Sequence, residues 1–215
     1  MKLLHIIATT RGSHSRTLSV SNEFLKTLKE KHPNVSVDEL DLSTLELPPV
    51  LDINVRAKYI VMSGGTLDEN TKQSWKRVTD LAEHFISYDL YLITAPMWNF
   101  GIPYILKHYI DVIMQAGILF SYTANGPEGF AKYEKMVCIT SRGSDYSPGG
   151  PMHALDFQEP YLRAIFSFAG IEEIHFIHAQ PMDMAPGLAQ AALQKAREEA
   201  RQMVDNLKLT IPNLA

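Results

Sequence analysis

"LITAPMWNFGIPYILKHYID", residues 92–111, decides the fold. It opens on apolar residues suited to a buried strand and closes on a segment with helical character. Pro103 stands at the expected first turn of that helix, where a missing N–H costs nothing. A strand that passes into a helix through so short a loop is a β–α unit, the building block of a parallel sheet. The loop carries Trp98 and Phe100 on either side of Asn99, an unusual place for two large aromatic side chains.

Reading outward, the same alternation recurs. Upstream, "YDLYLITAP" (88–96) completes a third strand, preceded by a helix from about 70 to 87. The chain begins with "KLLHIIAT" (2–9), a first strand, then a Ser/Thr-rich loop. A helix over 17–31 follows, with Leu18, Phe24, Leu25 and Leu28 at helical spacing and Pro33 just beyond. "VSVDELD" (35–41) alternates as a second strand. Residues 42–69, broken by Pro48-Pro49 and Gly64-Gly65, are expected to hold only short helical pieces.

Downstream, the 103 helix runs to about 115; Tyr104, Ile105, Leu106, Tyr109, Ile110, Val112, Ile113 and Met114 make it apolar over more than the one face a sheet covers, which predicts a homodimer. "NGPEGF" (125–130) is a turn-rich excursion. "KMVCITS" (135–141) is strand four, "SRGSDYSPGGP" (141–151) a long loop, and a helix covers about 158–169. "IEEIHFIHA" (171–179) is strand five. A last helix, about 187–207, repeats Leu188, Leu193, Ala196, Ala200, Met203 and Leu207. Five β units separated by helices predict one α/β domain over 1–215, a doubly wound five-stranded parallel sheet of order 2-1-3-4-5 with helices on both faces. Ligands bind such sheets at the switch point between strands one and three. Loops 9–17, 96–102 and 141–151 converge there, and they are the three most unusual loops in the chain.

Composition narrows the partners. With 46% hydrophobic and 20% charged residues in 215, the chain is globular, not disordered. A net charge of −4 without a basic run argues against nucleic acid. The single cysteine, Cys138, cannot form an internal disulfide, which points to a reducing cytoplasm. Leu3–Ala8 is too short for a signal peptide, and no stretch nears the ~20 apolar residues that span a bilayer.

The first loop, "ATTRGSHSRTLS", offers hydroxyls from Thr9, Thr10, Ser13, Ser15 and Thr17 and charge from Arg11 and Arg16 at a helix N-terminus. That suits a phosphate, although Ser and Thr could equally be plain caps. It lacks G-x-G-x-x-G and G-x-x-x-x-G-K-[ST], so a phosphomonoester fits better than a pyrophosphate or a triphosphate. In the second loop, Asn99 offers donor and acceptor beside two flat walls; the alternative is that both aromatics plug the core. Gly143, Gly149 and Gly150 of the third loop allow close backbone approach to a ligand, or simply flexibility. His175 and His178, three apart on a strand, face opposite ways and make a poor metal pair. His153 reads as a solvated loop histidine. No hydrolase, zinc or phosphoacceptor pattern is present, Thr9-Thr10 standing where a receiver domain needs acidic residues. Hence no catalytic side chain is assigned, no metal is expected, and a cofactor carries the chemistry.

"APMWNFGIPYILKHYID", "FSYTANGPEGF" and "ITSRGS" together closely resemble the bacterial FMN-dependent NADH-azoreductases and NADH:quinone oxidoreductases. The resemblance covers nearly the whole chain, and the turn paired with N-G-P-E-G is specific. It implies a flavodoxin-like fold, a homodimer and non-covalent FMN. Its phosphate site falls on Thr9, Ser15, Arg16 and Thr17. Its ring site falls on Met97, Trp98, Asn99 and Phe100, with Ser141, Arg142, Gly143 and Ser144 opposite. Trp98 stands where Tyr is commoner, Ser144 where Gly is common, and Arg16 adds a charge. The implied reaction takes a hydride from NADH or NADPH, then delivers two electrons to a quinone or azo dye, in ping-pong order. A flavodoxin-type electron carrier is the runner-up, and a non-redox flavin or quinone sensor the third reading.

Overall fold

The computed structural model describes residues 1–131 and 134–209. Its centre is a parallel sheet of β1 (Lys2–Ile7), β2 (Ser36–Asp41), β3 (Leu90–Thr94), β6 (Lys135–Ser141) and β7 (Glu173–Ala179), in the order β2-β1-β3-β6-β7. Counting only these five strands, the order is the expected 2-1-3-4-5. Every pairing is parallel, so each crossover must travel over a face of the sheet.

The central strands are buried on both faces, which explains their near-continuous apolar runs. Successive residues serve opposite layers. Leu3, Leu90, Leu92, Val137 and Ile139 meet α1 (Arg16–Lys31) and α6 (Pro186–Asn206). Leu4, Ile6, Tyr91, Ile93 and Cys138 meet α3 (Glu69–Ile86), α4 (Tyr104–Ile113) and α5 (Glu159–Phe168). Burial pushes the Cys138 thiol well above its ordinary pKa and keeps it protonated. β2, at an edge, is mostly exposed and polar.

Several expectations need correction. The buried stripe of α6 is Ala192, Ala196, Ala200 and Val204, while Leu188 is exposed. Small side chains at i, i+4 spacing bring α6 against the sheet and α1. The 42–69 stretch holds one helix of 11 residues, α2 (Asp52–Met62), ended by Gly64 at φ +74°. Pro103 lies just outside α4, in extended geometry at φ −58°, ψ 143°.

The turn-rich excursion is a true hairpin, β4 (Phe120–Thr123) with β5 (Gly126–Gly129). Gly129 is obligatory there: a Cβ would lie 2.2 Å from the Ala169 carbonyl carbon at the end of α5. Finally, the apolar surplus of α4, taken as a sign of dimerisation, is absorbed internally. Ile105, Leu106, Tyr109, Ile110, Val112 and Ile113 are buried within this chain, leaving Tyr104 exposed.

Candidate functional site

At the carboxyl ends of β1, β3 and β6 the three loops meet in a cleft of about 200 Å³. It gathers Thr9, Arg11, Ser15, Arg16, Thr17, Met97, Trp98, Ser141, Arg142 and Gly143 of the residues singled out in the sequence, and adds Pro96, Met182 and Asp183. Asn99 instead lines a neighbouring groove, and Phe100 and Ser144 line neither.

The polar end is built by the start of α1. Ser15 caps the helix, its Oγ accepting from the Leu18 N–H at 3.1 Å and from the Thr9 hydroxyl at 3.1 Å. Capping is therefore real, but it accounts for one hydroxyl only. The Thr17 hydroxyl turns to Ser141 Oγ at 2.7 Å, joining the first loop to the third. The N–H groups of Arg16 and Thr17 precede the first intrahelical bond and have no partner among the described residues. Free N–H groups, helix dipole and clustered hydroxyls fit a phosphate. Beneath them runs a buried polar chain: His5 Nε2 bonds Thr94 Oγ1 at 2.8 Å, which bonds Ser21 Oγ at 2.6 Å, which donates to the Thr17 carbonyl at 3.3 Å. Burial lowers the His5 pKa to about 4, the Asp41 carboxylate opposing only in part.

The aromatic end is a tight turn. Trp98 and Gly101 exchange backbone hydrogen bonds at 3.0 and 2.9 Å. Between them Asn99 and Phe100 both have positive φ, 47° and 70°. That is a type I′ turn, and a phenylalanine in it is strained. Such strain, of order 1–3 kcal/mol, persists where the surroundings dictate it. Here Met97 N–H donates to the Ser141 carbonyl at 2.9 Å, and Phe157 N–H to the Phe100 carbonyl at 3.0 Å. The turn's own bonds leave the Asn99 and Phe100 N–H groups without a partner among the described residues. Trp98 is 38% and Phe100 40% exposed, so neither plugs the core.

Arg142 turns its side chain into the protein. Its Nη1 donates to Asp156 Oδ2 at 2.9 Å and its Nε to Gln158 Oε1 at 3.2 Å, while Nη2 is buried without a partner among the described residues. Burial pulls the guanidinium pKa down, and Asp156 resists that shift. Gln158 in turn donates to the Ala95 and Pro96 carbonyls at 3.3 and 3.1 Å, tying the third loop to the second. Asp156, Gln158, Met182 and Asp183 were not singled out from the sequence; no motif marks them, and only folding brings Met182 and Asp183 to the cleft and Asp156 and Gln158 behind it.

Beyond Trp98 opens a broad groove of about 1160 Å³, lined by Val50, Leu51, Ile102, Tyr104, Phe157 and Tyr161 among others. The three histidines weighed in the sequence, His153, His175 and His178, stand apart from both spaces. His153 is exposed, with Nδ1 near the Tyr146 carbonyl at 3.1 Å. His175 pairs with Glu173, and His178 bridges Thr140 and Glu159. Among the described residues no group of three His, Cys, Asp or Glu could hold a metal, and no helix is long and apolar enough to cross a membrane.

Comparison with known proteins agrees with this architecture. A family model described as "Flavodoxin-like fold" matches residues 1–204. An FMN-dependent NADH:quinone oxidoreductase of Pseudomonas fluorescens is 34% identical over 96% of this chain and 97% of its own length. The crystal structure of an azoreductase from Bacillus anthracis superposes with a TM-score of 0.88 at 28% identity, covering 96% of this chain and 99% of that one. An FMN-dependent NADH-azoreductase of the same species, solved in complex with FMN, gives 0.87 at 27% identity, covering 97% of this chain and all of the other.

Proposed function

The chain belongs to the flavodoxin-like family of the FMN-dependent NADH:quinone oxidoreductases, and from that premise we propose that it is an FMN enzyme that reduces quinones with NADH and reductively cleaves aromatic azo compounds. One observation carries the reading. A polar cleft with free helix N–H groups opens beside a strained aromatic turn, and that turn borders an apolar groove. FMN, when bound, supplies a ring that accepts a hydride from NADH and passes two electrons onward.

The residues divide the work. Thr9, Ser15, Arg16 and Thr17 hold the phosphate through hydroxyls, backbone N–H groups and one guanidinium. The 97–100 turn and the backbone of Ser141 and Gly143 hold the ring non-covalently, Gly143 bringing no Cβ to the cleft. The unused N–H groups of Asn99 and Phe100 donate to the ring's polar edge, where negative charge gathers on reduction. Arg142 contributes through its backbone and the loop it braces, Ser144 through loop shape. Trp98, which lines both cleft and groove, borders a flat slot that admits nicotinamide and acceptor in turn, with the exposed Phe100 beside it on the same turn and no acid–base side chain required.

We read the chain as one domain, working in the cytoplasm as a homodimer. The exposed Val50, Leu51, Tyr104 and Phe157 around the groove support the dimer, since an apolar face of this size is costly in water. A one-electron carrier would need no organic-substrate groove, and the relatives' names favour the enzyme.

The purified protein should be yellow and release FMN, not FAD. NADH oxidation with benzoquinone should give parallel double-reciprocal lines. Thr17→Ala should weaken FMN binding by about 1–3 kcal/mol, the worth of a hydrogen bond to a charged group. Intersecting lines would mean a ternary complex and end the single-slot picture. An unchanged FMN affinity would return Thr17 to a structural role.

A further inference from the structure

A carboxylate sits inside a cleft otherwise suited to an anion. Asp183, in the loop between β7 and α6, lines the same space as Thr9, Ser15 and Thr17. It is seated there by the 141–151 loop and the start of α1. Its backbone N–H donates to the Gly143 carbonyl at 2.9 Å, and its Oδ1 accepts from Arg16 Nη1 at 2.9 Å. Its Oδ2 lies 2.9 Å from where a Cβ on Gly143 would stand, so the glycine leaves the carboxylate this position and a Cβ would displace it. The same Arg16 nitrogen also donates to the Met182 carbonyl at 2.9 Å, which holds the guanidinium across the cleft. Arg16 Nε and Nη2 have no partner among the described residues.

We propose that Asp183 is a built-in counter-anion of Arg16 that the cofactor's phosphate must share the guanidinium with, and that it thereby sets how tightly FMN is held. The inference rests on the FMN reading above. Its physical basis is charge. The Arg16–Asp183 pair is neutral as a unit, so Arg16 offers the phosphate geometry and free donors but little net attraction. The carboxylate meanwhile repels a phosphate dianion across a partly solvated space. Asp183 is largely exposed, so the repulsion is moderate and salt-sensitive, not prohibitive. The result is a cofactor held by hydroxyls, helix N–H groups and ring contacts, with its charge term deliberately weakened and its release correspondingly faster.

The clean variant is Asp183→Asn. It keeps an oxygen to accept from Arg16 and removes only the charge. Flavin titration followed by fluorescence quenching should show FMN bound roughly five- to tenfold more tightly than by the wild type at low salt, a factor set by one unit charge near a dianion in water. The gain should shrink toward unity at 1 M salt, where screening reaches about 3 Å. Riboflavin, which has the ring but no phosphate, should bind both proteins equally, a split that a merely structural change in the loop would not produce. Asp183→Glu, keeping the charge, should bind FMN no more tightly than the wild type. FMN affinity that is unchanged or lowered in Asp183→Asn overturns the proposal, as does an equal gain for riboflavin. A wild-type protein that takes up neither flavin overturns the FMN reading itself. One that takes up FMN normally, with no gain in the variant, overturns only the role of Asp183.

Discussion

The cleft and the groove lie on either side of Trp98, and they are finished to different degrees. The cleft is framed by hydrogen bonds within one chain. Its walls are tied by hydrogen bonds from Thr17 to Ser141 and from Gln158 to Ala95 and Pro96, and its floor is the buried His5–Thr94–Ser21 chain. The groove is more than five times larger and apolar, with Leu51 64% and Tyr104 71% exposed. A polar site must be satisfied by its own chain, because a buried donor without a partner costs stability whether or not a ligand arrives. An apolar site can stay open, because its cost in water is recovered when a planar substrate or a second copy covers it. The contrast predicts that substitutions in the buried polar frame behind the cleft act on folding, whereas those in the groove act on association.

The largest expected effect is at the brace behind the cleft. Asp156→Ala leaves the buried Arg142 guanidinium uncompensated, and breaking such a pair costs about 3–5 kcal/mol. Urea unfolding at neutral pH measures this; a loss under 1 kcal/mol would show that the cleft is no more self-contained than the groove. Next comes the floor. The His5 pKa falls from 6.5 to about 4 on folding. Below pH 6.5 the unfolded chain therefore takes up a proton that the folded protein resists. Stability is full above pH 6.5 and falls as pH drops toward 4, by about 3 kcal/mol in all. Carboxylates titrate in the wild type and in His5→Gln alike, so the difference between their unfolding free energies isolates the histidine. Parallel pH profiles would remove His5 from the account.

Least disturbing to the fold should be Tyr104→Glu in the groove, which is expected to change unfolding stability by no more than about 0.5 kcal/mol. The same substitution places a charge on the apolar rim and should turn a dimer into a monomer in sedimentation. A variant that stays dimeric would move the interface elsewhere, and one that unfolds easily would erase the contrast between the two regions.

Amino-acid order alone determined the layers. Alternating apolar strands and amphipathic helices dictate a parallel sheet. Strand order then follows from short connections and crossovers, which brings the Ser/Thr loop, the aromatic turn and the 141–151 loop to one end. The hydroxyls at 9–17 were legible because capping and anion binding are local chemistry, written in a few consecutive residues. The aromatic turn was legible as an anomaly, two large rings in a loop, though not its positive φ angles.

Only the tertiary structure decided the rest. Arg142 reads from the chain as a ligand-facing residue, yet its partners Asp156 and Gln158 lie 14 and 16 positions away and draw it inward. The surplus apolar residues of α4 read as an interface, yet the sheet and neighbouring elements bury all but Tyr104. Asp183 is unremarked in the sequence and reaches Arg16 across 167 positions. In each case the outcome depends on where a distant segment brings its charge or its surface. Periodicity and local motifs record which way a residue faces within its own element, but not what waits there.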